Sequence, residues 1–172
     1  MINDIIVKIA SSYLGNKEIS GNQGFVDPKF EVEMVKVGWS KGQAWCAYFG
    51  ELVWRQAYKE NAVKIDDELN RLFSASAVTT LDNFKKKSKF ITSKVPVKGA
   101  LAIWQKHSNG IAEWQGHIGV VYDFTDSVIT TIDGNTNTSG GREGIEVGKV
   151  KRRMNFGATN GLVLQGFVYP KE

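Results

Sequence analysis

At 172 residues, 42% of them hydrophobic, the chain is long enough for one well-formed core and short for two. A single cysteine, Cys46, excludes an intramolecular disulfide, and apolar runs of only a few residues exclude a membrane-spanning helix. The net charge of +4 suits nucleic acid, anionic lipid and cell-wall polymer equally, so charge alone selects no function.

The N-terminal stretch MINDIIVKIASSYLG carries no basic n-region and has Asp4 early, so no cleaved signal peptide is expected. Ile5, Ile6, Ile9, Ala10, Tyr13 and Leu14 recur at helical spacing, with Asn3 or Asp4 as the expected cap. GNKEISGNQGFVD is rich in Gly and Asn and reads as a loop. Pro28 opens a short helix that Gly38 stops. From Cys46 onward, Ala47, Phe49, Leu52, Val53 and Ala57 mark a buried central helix. Residues 61 to 94 are polar and lysine-rich, with a further helix expected at SAVTTLDNFKKK.

After Pro96 the pattern changes to short β-rich runs: GALAIWQ, GHIGVVYDF, SVITTIDG, GIEVGKVKRR and LQGFVYP. Helices in the first half and antiparallel strands in the second define an α+β domain. Neither an internal repeat nor a linker is visible, so residues 1–172 are expected to form one domain.

Cys46 falls at the start of the central helix, where unpaired N–H groups and the helix dipole favour a thiolate. The bland alternative is a buried thiol packing as a small apolar residue. Of the two histidines, His107 lies in QKHSNG, whose composition suggests an exposed loop. His117 opens a strand between Gly116 and Gly119, which leaves an imidazole room to face a cleft. A histidine base needs an orienting partner, and the next strand ends in Asp133 and Asn135, which share one face. A three-residue turn over Phe124–Asp126 would set Asp133 opposite His117, and one over Thr125–Ser127 would set Asn135 there. An even turn would spoil both. DGN can equally be a turn capped by its own side chains.

A cysteine at a helix start, a histidine on a strand and a carboxylate or amide on the next strand form a papain-like order. The chain resembles the CHAP-type amidohydrolases, relatives of the NlpC/P60 peptidases found in phage lysins and bacterial wall hydrolases. The residues that carry the likeness are AWCAYFGELVW, PVKGALAIW, GHIGVVYDF and ITTIDGN, with EISGNQGF resembling the leader of some members. The resemblance implies a papain-like fold with N-terminal helices packed on a C-terminal antiparallel sheet. It also implies a single catalytic domain and no metal or organic cofactor. The implied activity is a peptidoglycan amidase (N-acetylmuramoyl-L-alanine type) or endopeptidase of the phage-endolysin kind. Cys46 would be the nucleophile, His117 the proton shuttle and Asp133 its orienter, with Asn135 supporting the site or substituting. Gln43 is the expected second oxyanion donor beside the Cys46 N–H. Several family members place Gln directly before the cysteine, where this chain has Trp45. Trp45, Trp114 and Glu18 are expected along the substrate cleft, Trp114 from a loop just before His117.

Other site chemistries fit the spacing poorly. A zinc site from Cys46, His107 and His117 lacks any CxxC, HxxxH or HExxH pattern. DGNTNTSGG begins like a calcium loop but has Thr138 at its sixth position and Gly144 at its twelfth. KKKSK at 85–89 and KRR at 151–153 lack interleaved aromatics, so they read as solvated surface rather than a nucleic-acid platform. The expected protein is a monomer that acts on peptidoglycan or muropeptides without nucleic acid or membrane insertion. It would be made in the cytoplasm and reach the wall after holin-type release or another delivery. The competing class is a catalytically idle or repurposed relative in a phage or secretion apparatus, or an injected amidase effector.

Overall fold

A computed structural model describes residues 1–137 and 144–171, so positions 138–143 of the calcium-loop-like stretch lie outside the described residues. The helices come first: α1 (Ile2–Ser12), α2 (Pro28–Lys36), α3 (Cys46–Glu60), α4 (Asp66–Leu72) and α5 (Ala77–Lys87). The strands follow: β1 (Thr92–Ser93), β2 (Leu101–Ser108), β3 (Ile111–Phe124), β4 (Val128–Thr136), β5 (Glu146–Arg153) and β6 (Gly161–Val168). They form one antiparallel sheet in the order β1-β6-β2-β3-β4-β5. The fold is α+β, consistent with a papain-like architecture.

Side-chain caps set the starts of two helices. Asp27 caps α2 by accepting from Lys29 N at 2.9 Å, with Pro28 in the first turn. Ser76 caps α5 through Thr79 N at 3.2 Å. The α1 cap differs from expectation. The helix already begins at Ile2, and the Asn3 amide instead donates to Lys98 O at 2.7 Å, tying α1 to the approach to β2. The acidic helix α4, which the polar 61–94 stretch conceals, is held by only two buried residues, Leu69 and Leu72. His107 also departs from expectation, because it lies within β2 rather than in a loop.

The main core lies between the helices and one face of the sheet, where Phe49, Leu52, Val53 and Trp54 of α3 meet Leu101, Ile103, Ile118, Val120 and Ile132. A second cluster on the opposite face contains Ala102, Trp104, Ile129, Leu164 and Phe167. The N-terminal end of α3 sits close to β4, because a Cβ at Gly134 would lie 2.6 Å from Phe49 Cβ and 2.7 Å from Trp45 Cζ3. That closeness fixes where the first residue of α3 meets the sheet.

The N-terminal loop does more than connect. Lys17 bridges to Glu146, and Glu18 N donates to Ile145 O at 2.7 Å, so the loop covers part of the β5 edge.

Candidate active site

Cys46 is the first residue of α3 and is 6% exposed. Its free N–H groups and the helix dipole favour negative charge on sulfur. Burial alone would push the thiol up, but the His117 imidazole and the Ile118 backbone N–H outweigh it and hold the thiol below its ordinary value. His117 is fully buried, and its Nε2 lies 2.9 Å from Asp133 Oδ2. Nδ1 has no other hydrogen-bond partner among the described residues and is the nitrogen left for the Cys46 thiol, with which the ring interacts directly. Burial would depress His117, yet the Cys46 thiolate and Asp133 together raise it to about 9. Asp133 is likewise pushed up by burial and pulled below its ordinary value by Arg152 and His117. This geometry suits a thiolate–imidazolium pair oriented by a buried carboxylate.

The register explains how Asp133 arrives there, although the turn that leads into it is not the three-residue turn expected. Near the turn Phe124 pairs with Ile129 and Asp123 with Thr130, so the connection, residues 125 to 128, is even in length. A β-bulge at Tyr122 then shifts the pairing to Val121↔Thr131 and Val120↔Ile132. Carried onward, that register sets Gly119 opposite Asp133 and His117 opposite Asn135. Asp133 reaches His117 diagonally, across the space that Gly119 leaves empty: a Cβ there would overlap Asp133 Oδ1 and come within 2.9 Å of its Cγ. Asn135 has a left-handed backbone (φ 54°), at an irregularity in the β4–β5 pairing, and lines the same cleft as Cys46.

A family model described as the CHAP domain matches residues 38–135, more than half of the sequence.

The chain belongs to the CHAP family.

Neither the curated proteins nor the solved structures give a match. CHAP membership supports a hydrolase of the amidase or peptidase type with a peptidoglycan-related substrate. Among the described residues, no helix is long and apolar enough to cross a membrane.

Cys46 opens onto a cleft of about 390 Å³. Its walls are small at Gly42, Ala44, Ala75, Ala77 and Gly116, and polar at Asn22, Ser76, Gln115 and Asn135. Asn22 Oδ1 and Gln115 Oε1 are buried acceptors without a protein partner among the described residues. A larger concavity of about 820 Å³ lies beside α4 among Lys59, Lys64, Asp66 and Arg71, and no Cys, Ser, Thr or His lines it.

The remaining expected residues divide. Trp114 is 77% exposed and lines the cleft, although from β3 rather than from a loop. Trp45 does not line the cleft. It is fully buried against Phe25 and Phe30, and its Nε1 donates to Glu18 Oε2 at 2.5 Å. Glu18 therefore braces the residue before the cysteine rather than facing substrate. Gln43 is half-buried and engaged elsewhere: its Oε1 accepts from Ser40 N at 3.0 Å and from Tyr48 OH at 3.1 Å. It is not among the residues that line the cleft, and no oxyanion role rests on it.

Sequence reasoning missed Arg152, which it placed in a solvated KRR run. The Arg152 side chain is only 12% exposed, and its Nη1 donates to Asp133 Oδ2 at 2.7 Å and Thr131 Oγ1 at 3.1 Å. The available signal was alternation along β5 from buried Val150, which sets Arg152 on the same face. Among the described residues, no group of three or more His, Cys, Asp or Glu is arranged to hold a metal ion.

Proposed function

We propose that the protein is a cysteine amidase or endopeptidase that cuts amide bonds of peptidoglycan through a thioester, acting as a phage-type lysin. One observation carries this reading. The thiol of Cys46, the first residue of α3, couples to an imidazole whose far nitrogen is bound to a buried carboxylate.

In the reaction, the Cys46 thiolate attacks the scissile carbonyl while His117 carries the proton. The oxyanion faces the Cys46 N–H, and Asn135, 2% exposed on the cleft wall, supports the site. His117 then gives its proton to the leaving amine, and the nitrogen departs as the thioester forms. Water activated by the neutral imidazole hydrolyses the thioester, releasing the acid and restoring the thiol. Asp133 keeps the ring in the tautomer with hydrogen on Nε2 throughout.

The balance of donors and small side chains around Cys46 suits a slender peptide, and the net charge of +4 suits an anionic wall. Thiol alkylation is expected to abolish hydrolysis while EDTA leaves it unchanged. Loss of activity in EDTA with the thiol still reactive would overturn the mechanism.

A further inference from the structure

The interaction that the proposed chemistry does not use is the ion pair behind Asp133. Arg152 projects from β5, where it pairs with Ile129 of β4, and its Nη1 spans Thr131 Oγ1 and Asp133 Oδ2 at 3.1 and 2.7 Å. Its guanidinium also lies 4.8 Å above the Trp104 ring, and Trp104 is the β2 neighbour of His117, with their rings 6.0 Å apart. A planar fork stacked on an indole and bonded to two acceptors has little freedom to move. The same carboxylate oxygen therefore accepts from His117 on one side and Arg152 on the other.

We infer that Arg152 is a positioning residue that keeps Asp133 a carboxylate aimed at His117 Nε2, so that Nδ1 stays free for the Cys46 thiol. Asp133 is fully buried, and its Oδ1 has no partner among the described residues. An uncompensated buried carboxylate takes up a proton instead of staying charged. A protonated Asp133 would donate to Nε2, drive the ring hydrogen onto Nδ1 and remove the base from the side that faces sulfur. The charged and titratable groups around this carboxylate are Arg152 from β5, His117 from β3 and Cys46 from α3. Of these, only Arg152 holds a fixed positive charge, so Asp133 keeps a cationic partner whichever state the thiol–imidazole pair adopts. Arg152 lies on β5, outside residues 38–135 that the family model matches.

The inference rests on the thiol–imidazole reading, and its test separates the two. Ring-nitrogen NMR shifts of His117 and the rate of Cys46 alkylation by iodoacetamide are followed against pH. The proteins are wild type, Arg152→Gln, Arg152→Lys, Asp133→Asn and the Arg152→Gln/Asp133→Asn double variant. Neither readout needs a wall substrate. Arg152→Gln should move ring hydrogen from Nε2 towards Nδ1 and slow alkylation about tenfold near neutral pH, the scale of a one-unit shift in a coupled group. Arg152→Lys, which keeps the charge, should restore most of that loss. The double variant should be no slower than Asp133→Asn alone, because Arg152 acts through Asp133. A folded Arg152→Gln with the wild-type tautomer and alkylation profile would overturn the inference, as would a double variant far slower than Asp133→Asn. Should Arg152→Gln fail to fold, the carboxyl-carbon shift of Asp133 in wild type decides. A carboxylate throughout the range in which His117 titrates is expected, and proton uptake by Asp133 in that range overturns it. A wild-type thiol no more reactive than free cysteine would refute the hydrolase reading instead, while the NMR comparison still decides the part played by Arg152.

Discussion

Gly119→Ala isolates the geometry of the site from its chemistry, because it changes no group that reacts. The backbone at Gly119 is not left-handed, so alanine meets no conformational penalty there. The added methyl would overlap Asp133 Oδ1 and lie within 2.9 Å of both Asp133 Cγ and Thr131 Cβ. Ordinary carbon contacts need about 3.5 Å or more, so the carboxylate must shift on the order of an ångström. Both bonds at Oδ2, to His117 at 2.9 Å and to Arg152 at 2.7 Å, would lengthen or break. Overpacking of this kind costs about 1–3 kcal/mol of stability. Misplacing a catalytic group by about 1 Å costs on the order of a hundredfold in rate. Turbidity loss of purified cell walls, thermal unfolding and thiol alkylation together give the assay. A folded Gly119→Ala with hydrolysis within about twofold of wild type would refute the claim that Asp133 must cross the Gly119 gap.

Three further outcomes follow from particular contacts. The thiol is held below its ordinary value and His117 is raised to about 9, so the thiolate–imidazolium pair exists between those two limits. Hydrolysis should rise on an acid limb below the ordinary thiol value and fall as pH passes about 9; an acid limb at the value of a free thiol would contradict the coupling. Trp114→Ala, at a residue 77% exposed on the cleft rim, should raise KM about tenfold and leave unfolding within about 0.5 kcal/mol, as titration with soluble muropeptides and a melt would show. Glu18→Gln weakens the charge-assisted bond to Trp45 Nε1 and should cost about 1 kcal/mol of stability, read as a lowered Tm, with kcat little changed.

The helix-then-strand order was legible because periodicity switches from about 3.6 to 2 near Pro96, and because Pro28 and Gly38 bracket the second helix as local signals. Cys46 and His117 stood out because the sequence holds one cysteine and two histidines, so few combinations had to be weighed. The pairing with Asp133 was only half legible. Alternation put Asp133 and Asn135 on one face, but the choice between them depends on an even turn, a bulge at Tyr122 and a diagonal reach over Gly119. None of these is a property of a single strand. Arg152 was hidden for a related reason: KRR reads as surface until the β4–β5 register carries one of its side chains across Thr131 to Asp133. Glu18, Gln43 and Trp45 were misplaced because their partners come from contacts between loops, which local composition does not encode.

The central claim is that Cys46 is the nucleophile of a wall amidase. It is tested most directly by digesting purified peptidoglycan with the wild-type protein and with Cys46→Ala, and identifying the released fragments by mass. Soluble muropeptides with new amine and carboxyl termini from wild type, and none from a Cys46→Ala variant that melts normally, is the result expected. Equal release by both proteins would contradict the thiol mechanism, and release by neither, across walls of differing cross-bridge chemistry, would contradict the wall substrate.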